Sequence, residues 1–432
     1  MLRALYKSAS LRAAVVLGLG GLAFTLANLI LARTLPSREY GLVSLVIGIV
    51  SVAGLAAPLG LDLVMGRRGL LLDSRLRRAI LCISSLVSLV TVGISAVCYR
   101  LSLPLLGCIL VTTVASALVQ ASAAHFQGQR RFGPATWIVQ LSNWTLLLAA
   151  LLTTVLGLQT AVGPCALLAA TTAVGGTITW VIASREAKQP TGQPDLRTLR
   201  GEALSLVSIH ACNAVFLQLE RLLLAPVAGV QVLALFGVVA ALVASPFRML
   251  QMAVLFTLIP NLRQAQDFQE RRRLLMREMA LVAGAIGAGS IVIWAVAPPL
   301  AHGFLAGRYD ISAALMCAAL VAGVLKLCSA FATGTVIALA QDKGLRTLSV
   351  VSWATIGLSV LGAFVAAPWG LVGVLYGISG GWLVRSLIAA WLAVSTGLLR
   401  AGAFPLPQAP PSGAPLQASP SADRSQTPCA QR

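Results

Sequence analysis

RAAVVLGLGGLAFTLANLILARTLPSREYGLVSLVIGIVSVAGLAAPLGLDLVM (residues 12–65) holds two long apolar runs separated only by the seven residues of TLPSREY at 34–40. A hydrocarbon core about 30 Å thick is crossed by roughly 20 apolar residues in a helix, and each run supplies that length. Arg3, Lys7 and Arg12 precede the first run, which is longer than the apolar region of an ordinary secretion signal and reads as an uncleaved first span. Working outward, the same pattern predicts spans at 12–33, 41–65, 79–99, 103–125, 135–156, 162–183, 203–224, 231–259, 279–298, 312–340, 348–367 and 370–399. The expected fold class is an all-α membrane protein with about twelve transmembrane helices.

Composition excludes the soluble classes. Hydrophobic residues make up 58% of the 432 positions and charged residues 10%, against about 25% charged in an ordinary soluble domain. The net charge of +19 is a topology signal rather than a nucleic-acid footprint, because the basic residues sit in short loops instead of on one surface. With the N-terminus inside, the cytoplasmic segments carry 24 of the 32 lysines and arginines and the opposite loops 5. Basic loops resist translocation, so both termini are expected in the cytoplasm. The eight cysteines form no CxxC pair and His125, His210 and His302 are far apart, so no metal site is expected. No Walker A sequence is present and no cofactor is implied.

The halves of the chain resemble each other. "ANLILARTLPSREYGLVSLV" after the first span and "LQLERLLLAPVAGVQVLALFGVVAAL" after the seventh each carry an arginine at a helix end (Arg33, Arg221), a short turn, then aromatic-Gly (Tyr40-Gly41, Phe236-Gly237). "GLQTAVG" and "GLVG" open the sixth and twelfth spans. Six plus six helices that both start inside predict two lobes related by a pseudo-two-fold axis along the membrane normal. The predicted division is 1–183 for the first lobe, 184–202 for a cytoplasmic connector with Pro190 and Pro194, 203–399 for the second lobe, and 400–432 for a tail too poor in large apolar groups to order.

"LARTLPSREYGLVSLV" followed by "LGLDLVMGRRG" resembles the N-terminal signature of the Wzx-type polysaccharide transporters, the oligosaccharide flippases of the multidrug/oligosaccharidyl-lipid/polysaccharide (MOP) exporter superfamily. "LFTLIPNLRQA", "GFLAGRYDISAALM" and "APWGLVGVLYGISGGWLVRS" are similar to later family segments in the expected order, so the likeness covers roughly residues 10–395. Glu220 departs from it, standing where the family more often has aspartate before the arginine. The resemblance implies a V-shaped bundle around a central cavity, working by alternating access in a bacterial inner membrane. It implies transfer of undecaprenyl-diphosphate-linked repeat units to the periplasmic leaflet for O-antigen, capsule or exopolysaccharide synthesis. The partners it implies are that lipid-linked oligosaccharide, membrane lipids, a polysaccharide polymerase and the chain-length machinery.

The residues themselves point to an anionic cargo through Arg248, Lys326 and Arg385, each near the middle of a predicted span. An ionised residue there costs about 2.5–3.5 kcal/mol, so the three are expected to line a hydrated cavity with no mid-span carboxylate to pair with. A diphosphate suits such a cavity. The alternative reading is snorkelling, or bonding to carbonyls freed by a kink, which Pro246 favours at Arg248. Glu220 with Arg33 or Arg221 is expected to close a periplasmic gate, with Asp62 beside Arg67 and Arg68 as an interfacial pair. Asp62 and Glu220 are also the candidates for ion coupling. Asn28, Gln140, Asn213 and Gln251 are candidate sugar contacts, or bonds between helices.

Competing functions divide by loop length and cavity charge. Membrane glycosyltransferases and polymerases carry catalytic residues on a sizeable outer loop, whereas every outer loop expected here is short, so no catalytic residue is assigned. A lipid II flippase shares the diphosphate problem. A drug/cation antiporter needs a carboxylate-rich cavity, which three mid-span cations disfavour.

Overall fold

The computed structural model describes residues 9–129, 131–186, 196–265, 267–340 and 342–395. They fold almost entirely into helices: α1 (Ala9–Thr34), α2 (Ser37–Ala56), α3 (Leu61–Arg68), α4 (Ser74–Tyr99), α5 (Leu103–Gly128), α6 (Phe132–Val139), α7 (Leu141–Val155), α8 (Val162–Glu186), α9 (Leu196–Ala228), α10 (Val230–Val239), α11 (Ser245–Gln264), α12 (Phe268–Phe304), α13 (Ala313–Leu339), α14 (Asp342–Ala366) and α15 (Gly370–Ser395). Residues 187–195 of the expected connector and all of the expected tail lie outside the described residues.

Ten helical stretches are long and apolar enough to cross a membrane, and the bent pair α6–α7 adds one more. The last of the ten, Gly344–Ser395, is a hairpin. A Cβ placed on Gly362 would meet the Gly377 carbonyl at 2.6 Å, and one on Gly381 would meet the Thr355 carbonyl at 2.9 Å. α14 and α15 therefore run antiparallel, which brings the described residues to twelve passages and a multi-pass membrane protein. Large apolar side chains along these passages face outward, as at Val97, Ile291, Val350 and Leu361, because lipid solvates them as well as a protein interior does.

Three helix starts are capped by a side chain. The Asp73 carboxylate accepts from the Leu76 amide at 2.7 Å and starts α4. Asp267 does the same for Glu270 at 2.6 Å and starts α12, and the Ser312 hydroxyl accepts from Leu315 at 3.2 Å to start α13. Such caps satisfy amides with no intrahelical partner.

Three expected continuous spans are broken. The second stops at Ala56, because Pro58 cannot donate and Leu59 and Gly60 turn left-handed (φ 45° and 76°). Gly60 is required twice over there: a Cβ would also lie 2.4 Å from the Ala203 carbonyl of α9. The chain resumes as the short α3, which ends at left-handed Gly69. The fifth passage bends by 40° between α6 and α7. The eighth widens into a π turn at Ala240–Ala244 just before Pro246.

The halves of the chain meet along α1, α2 and α3 on one side and α9, α10 and α11 on the other. The two aromatic-Gly motifs face each other at this seam. Gly41 approaches the Val230 carbonyl, where a Cβ would sit at 2.1 Å, and Gly237 lies under the buried Tyr40 ring. Pro226 inside α9 leaves the Leu222 carbonyl without its helical donor, and the Tyr99 hydroxyl of α4 donates to that oxygen at 3.1 Å. A backbone group freed inside an apolar bundle needs such a partner.

Gly377→Val should lower stability by about 1–3 kcal/mol, the usual cost of overpacking. Its Cβ would sit 2.3 Å from the Gly362 carbonyl, and backbone cannot step aside as a side-chain tip does. Unfolding in detergent micelles checks this; an unchanged midpoint would mean that the α14–α15 crossing is looser than described.

A cationic cavity between the halves of the chain

A cavity of about 50 Å³ lies at the seam, lined in part by Phe24 of α1, Glu220 and Arg221 of α9, Arg248 and Gln251 of α11, and Lys326 of α13. Each reaches it for a local reason. α9 continues eight residues past Glu220, about 12 Å of helix, so Glu220 and Arg221 sit well inside the bundle rather than at a span end. Gly48 of α2 lets the stem of Arg221 lie close, with its Cβ 3.1 Å from where a glycine Cβ would be. Arg248 follows the π turn and Pro246, where the helix has changed register.

The charges do not group as the sequence suggests. Lys326 is not unpaired: its Nζ forms an ion pair with Glu220 Oε1, with side chains only 13% and 3% exposed. The carboxylate expected to be absent from mid-span is therefore present, supplied by α9. Glu220 consequently does not pair with Arg33, whose guanidinium lies 5.1 Å over the Phe304 ring near the far end of α1. At that end, which is the outer one in the topology expected from charge, the contact between halves is made by Arg308. Its Nη1 donates to the carbonyls of Arg33 (3.2 Å) and Leu35 (2.8 Å). Arg221 is not at that end either; it is buried in the cavity wall with Nη1 lacking a hydrogen-bond partner.

Arg385 lies apart from the cavity lining. It is buried inside the C-terminal half, donates from Nη2 to Asn213 Oδ1, and packs 5.3 Å over Phe216 and 5.7 Å over Trp382. Trp382 also faces Lys326, at 5.8 Å, so one indole connects the two cations. The cavity proper thus holds three cations and one carboxylate. Among the described residues, neither Arg221 nor Arg248 has a carboxylate within ion-pair distance. Both sit over Phe24, at 5.3 Å and 5.7 Å.

Of the four polar residues expected to touch sugar, only Gln251 lines the cavity. Asn28 is buried, donating to the Phe24 carbonyl at 2.8 Å and accepting from the Tyr40 hydroxyl at 3.4 Å. Gln140 fills the space over Gly20 at the α6–α7 bend and accepts from Asn143 at 2.6 Å. Asn213 serves Arg385. Phe24 was not singled out by sequence, since an aromatic within an apolar run carries no local mark.

Asp62 lies in α3, beyond the membrane-spanning part of the second passage. It is 9% exposed and its Oδ1 has no hydrogen-bond partner. Burial pushes its carboxyl from 3.8 up to about 6, opposed by backbone hydrogen bonds from Leu63 and its own amide. The folded state holds this proton more tightly than the unfolded state, so the contribution to stability is greatest below 3.8 and declines as pH rises through about 6. At pH 7.5 the ionised form costs about 3 kcal/mol. Asp62→Asn should raise the unfolding midpoint at pH 7.5 and flatten the slope between pH 4 and 6. An equal slope in both proteins would count against this.

No protein-family model matches the sequence, and no curated protein matches it. Solved structures do match the fold. An inward-facing multidrug resistance MATE family transporter of the MOP superfamily superposes with a TM-score of 0.61 over 91% of this chain and 99% of its own, at 14% identity. A MOP superfamily transporter from Pyrococcus furiosus, described as having a binding pocket of reverse polarity, gives 0.59 over 89% and 96%, at 15% identity. The lipid II flippase MurJ in an inward closed conformation gives 0.62 over 89% and 87%, at 12% identity. The chain has the helical-bundle fold of the MOP superfamily transporters.

Proposed function

We propose that this protein flips a lipid-linked oligosaccharide carried on undecaprenyl diphosphate, from the cytoplasmic to the periplasmic leaflet of a bacterial inner membrane, by alternating access. The observation that carries the reading is the charge of the cavity: Arg221, Arg248 and Lys326 against Glu220 alone, at the seam between the two halves. Guanidinium groups bind phosphate through paired, charge-assisted hydrogen bonds, and a diphosphate supplies the acceptors that Arg221 and Arg248 lack. The short loops between passages leave no domain for glycosyl transfer. The O-antigen, capsule or exopolysaccharide context and its polymerase rest on the sequence resemblance.

A cavity of about 50 Å³ has room for a few waters, at roughly 10–15 Å³ of such space for each. On this reading a diphosphate with its glycan enters only when the halves part. A lipid II flippase presents the same diphosphate and is the second reading. A cationic drug is disfavoured by two arginines with no carboxylate partner.

The test is a reconstituted flipping assay with short-chain undecaprenyl-diphosphate oligosaccharide, lipid II and a cationic dye compared in one preparation. Flipping of the oligosaccharide is expected. Preference for lipid II would move the assignment to the second reading, and dye efflux alone would overturn it.

A further inference from the structure

Among the described residues lining the cavity, Phe24 alone belongs to the N-terminal half, and the charged groups come from the C-terminal half. Its ring lies within 5.3 Å of the Arg221 guanidinium and 5.7 Å of that of Arg248. The next residue, Thr25, donates its hydroxyl to Ser245 Oγ at 2.7 Å. These two consecutive residues of α1 therefore hold α9 and α11 across the seam, and both contacts sit at the cavity itself.

We propose that Phe24 stands in for the cargo's anionic group while the cavity is empty. Its electron-rich ring holds Arg221 and Arg248, keeping α1 on the C-terminal half. A phosphate-bearing headgroup that takes both guanidiniums releases the ring and parts the halves. The physical basis is competition for one pair of donors. A guanidinium over an aromatic face is attracted by the ring quadrupole, and paired hydrogen bonds to a phosphate are stronger. An anion gains those bonds only where the ring has left, so it binds the parted state better, and differential affinity is what shifts such an equilibrium. Phe24 is thus a positioning residue that couples recognition to movement. A neutral or cationic molecule of the same size has no means of withdrawing the arginines. This inference rests on the anionic-cargo reading for its ligand but not for its empty-state contact.

The test replaces Phe24 with mono-, di- and trifluorinated phenylalanine in the full-length protein. Fluorine drains the ring face and barely changes its shape, so a role in packing alone would not respond. Two quantities are read: affinity for inorganic pyrophosphate, and the ligand-free distance between spin labels placed by Arg75→Cys and Leu204→Cys on a cysteine-free background. Affinity should rise stepwise along the series, up to about tenfold, the scale of two such contacts. The ligand-free distance should shift toward a separated population. Constant affinity along the series, in a protein that binds pyrophosphate, would overturn the proposal. Should the unmodified protein bind no pyrophosphate, the anionic-cargo reading falls instead. The ligand-free distances then decide the role of Phe24: a shift with fluorination sustains the ring's hold on the arginines, and unchanged distances overturn it.

Discussion

Lys326→Met should destabilise the fold by about 3–5 kcal/mol, the usual cost of removing one partner from a buried ion pair. The reason lies with Glu220, whose side chain is 3% exposed and whose carboxylate has Lys326 as its ion-pair partner. Without the ammonium, a buried carboxylate loses its ion-pair partner, and Arg221 and Arg248, which line the same cavity, do not come within ion-pair distance of it. Methionine matches the length of the lysine stem, so packing against Trp382 is largely retained and the loss reports on charge. The double variant Lys326→Met with Glu220→Gln should recover most of the stability, because neither desolvated charge remains. Denaturant unfolding in mixed micelles measures both. Equal losses in the single and double variants would mean that the pair is not coupled. The double variant also separates roles: folded but slow in flipping, it would show that the ammonium serves the cargo as well as the carboxylate.

The second large effect runs in opposite directions for stability and transport. Arg221 is 4% exposed, and its Nη1 has no hydrogen-bond partner. A buried charge without a counter-ion is a burden on the folded state, and apolar replacement of such groups often stabilises by about 1–4 kcal/mol. Arg221→Met should therefore raise the unfolding midpoint. It should also cut flipping of the diphosphate lipid by roughly 10- to 150-fold, since a hydrogen bond to a charged group contributes about 1.5–3 kcal/mol. Arg248→Met should reduce flipping on the same scale with little change in stability, because Arg248, unlike Arg221, is solvent-exposed. A purely structural arginine predicts the reverse, a destabilised protein whose surviving fraction flips normally. Measuring midpoint and initial flipping rate on the same proteoliposome preparations distinguishes the two.

Much of the architecture was legible in the chain because hydropathy is a local property. A run of about 20 apolar residues crosses a bilayer whatever it packs against, so the twelve passages could be counted before any contact was known. The breaks were partly legible too. Pro58 with Gly60 and Pro246 are backbone signals, although the sequence does not say that the second passage stops at Ala56 or that the eighth widens to a π turn. The aromatic-Gly repeat at Tyr40-Gly41 and Phe236-Gly237 marked, without saying so, the place where the halves touch. The tertiary structure alone decided which charges share a site. Glu220 and Lys326 lie on helices separated by two further passages, and Arg385 shares the hydropathy context of Lys326 yet faces Asn213 inside one half. Phe24 is one apolar residue among many in α1 until packing turns it toward two guanidiniums. Hydropathy sets how deep a residue lies in the membrane; the rotation of each helix about its axis sets what it meets there, and that angle is fixed only by the neighbours against which the helix packs.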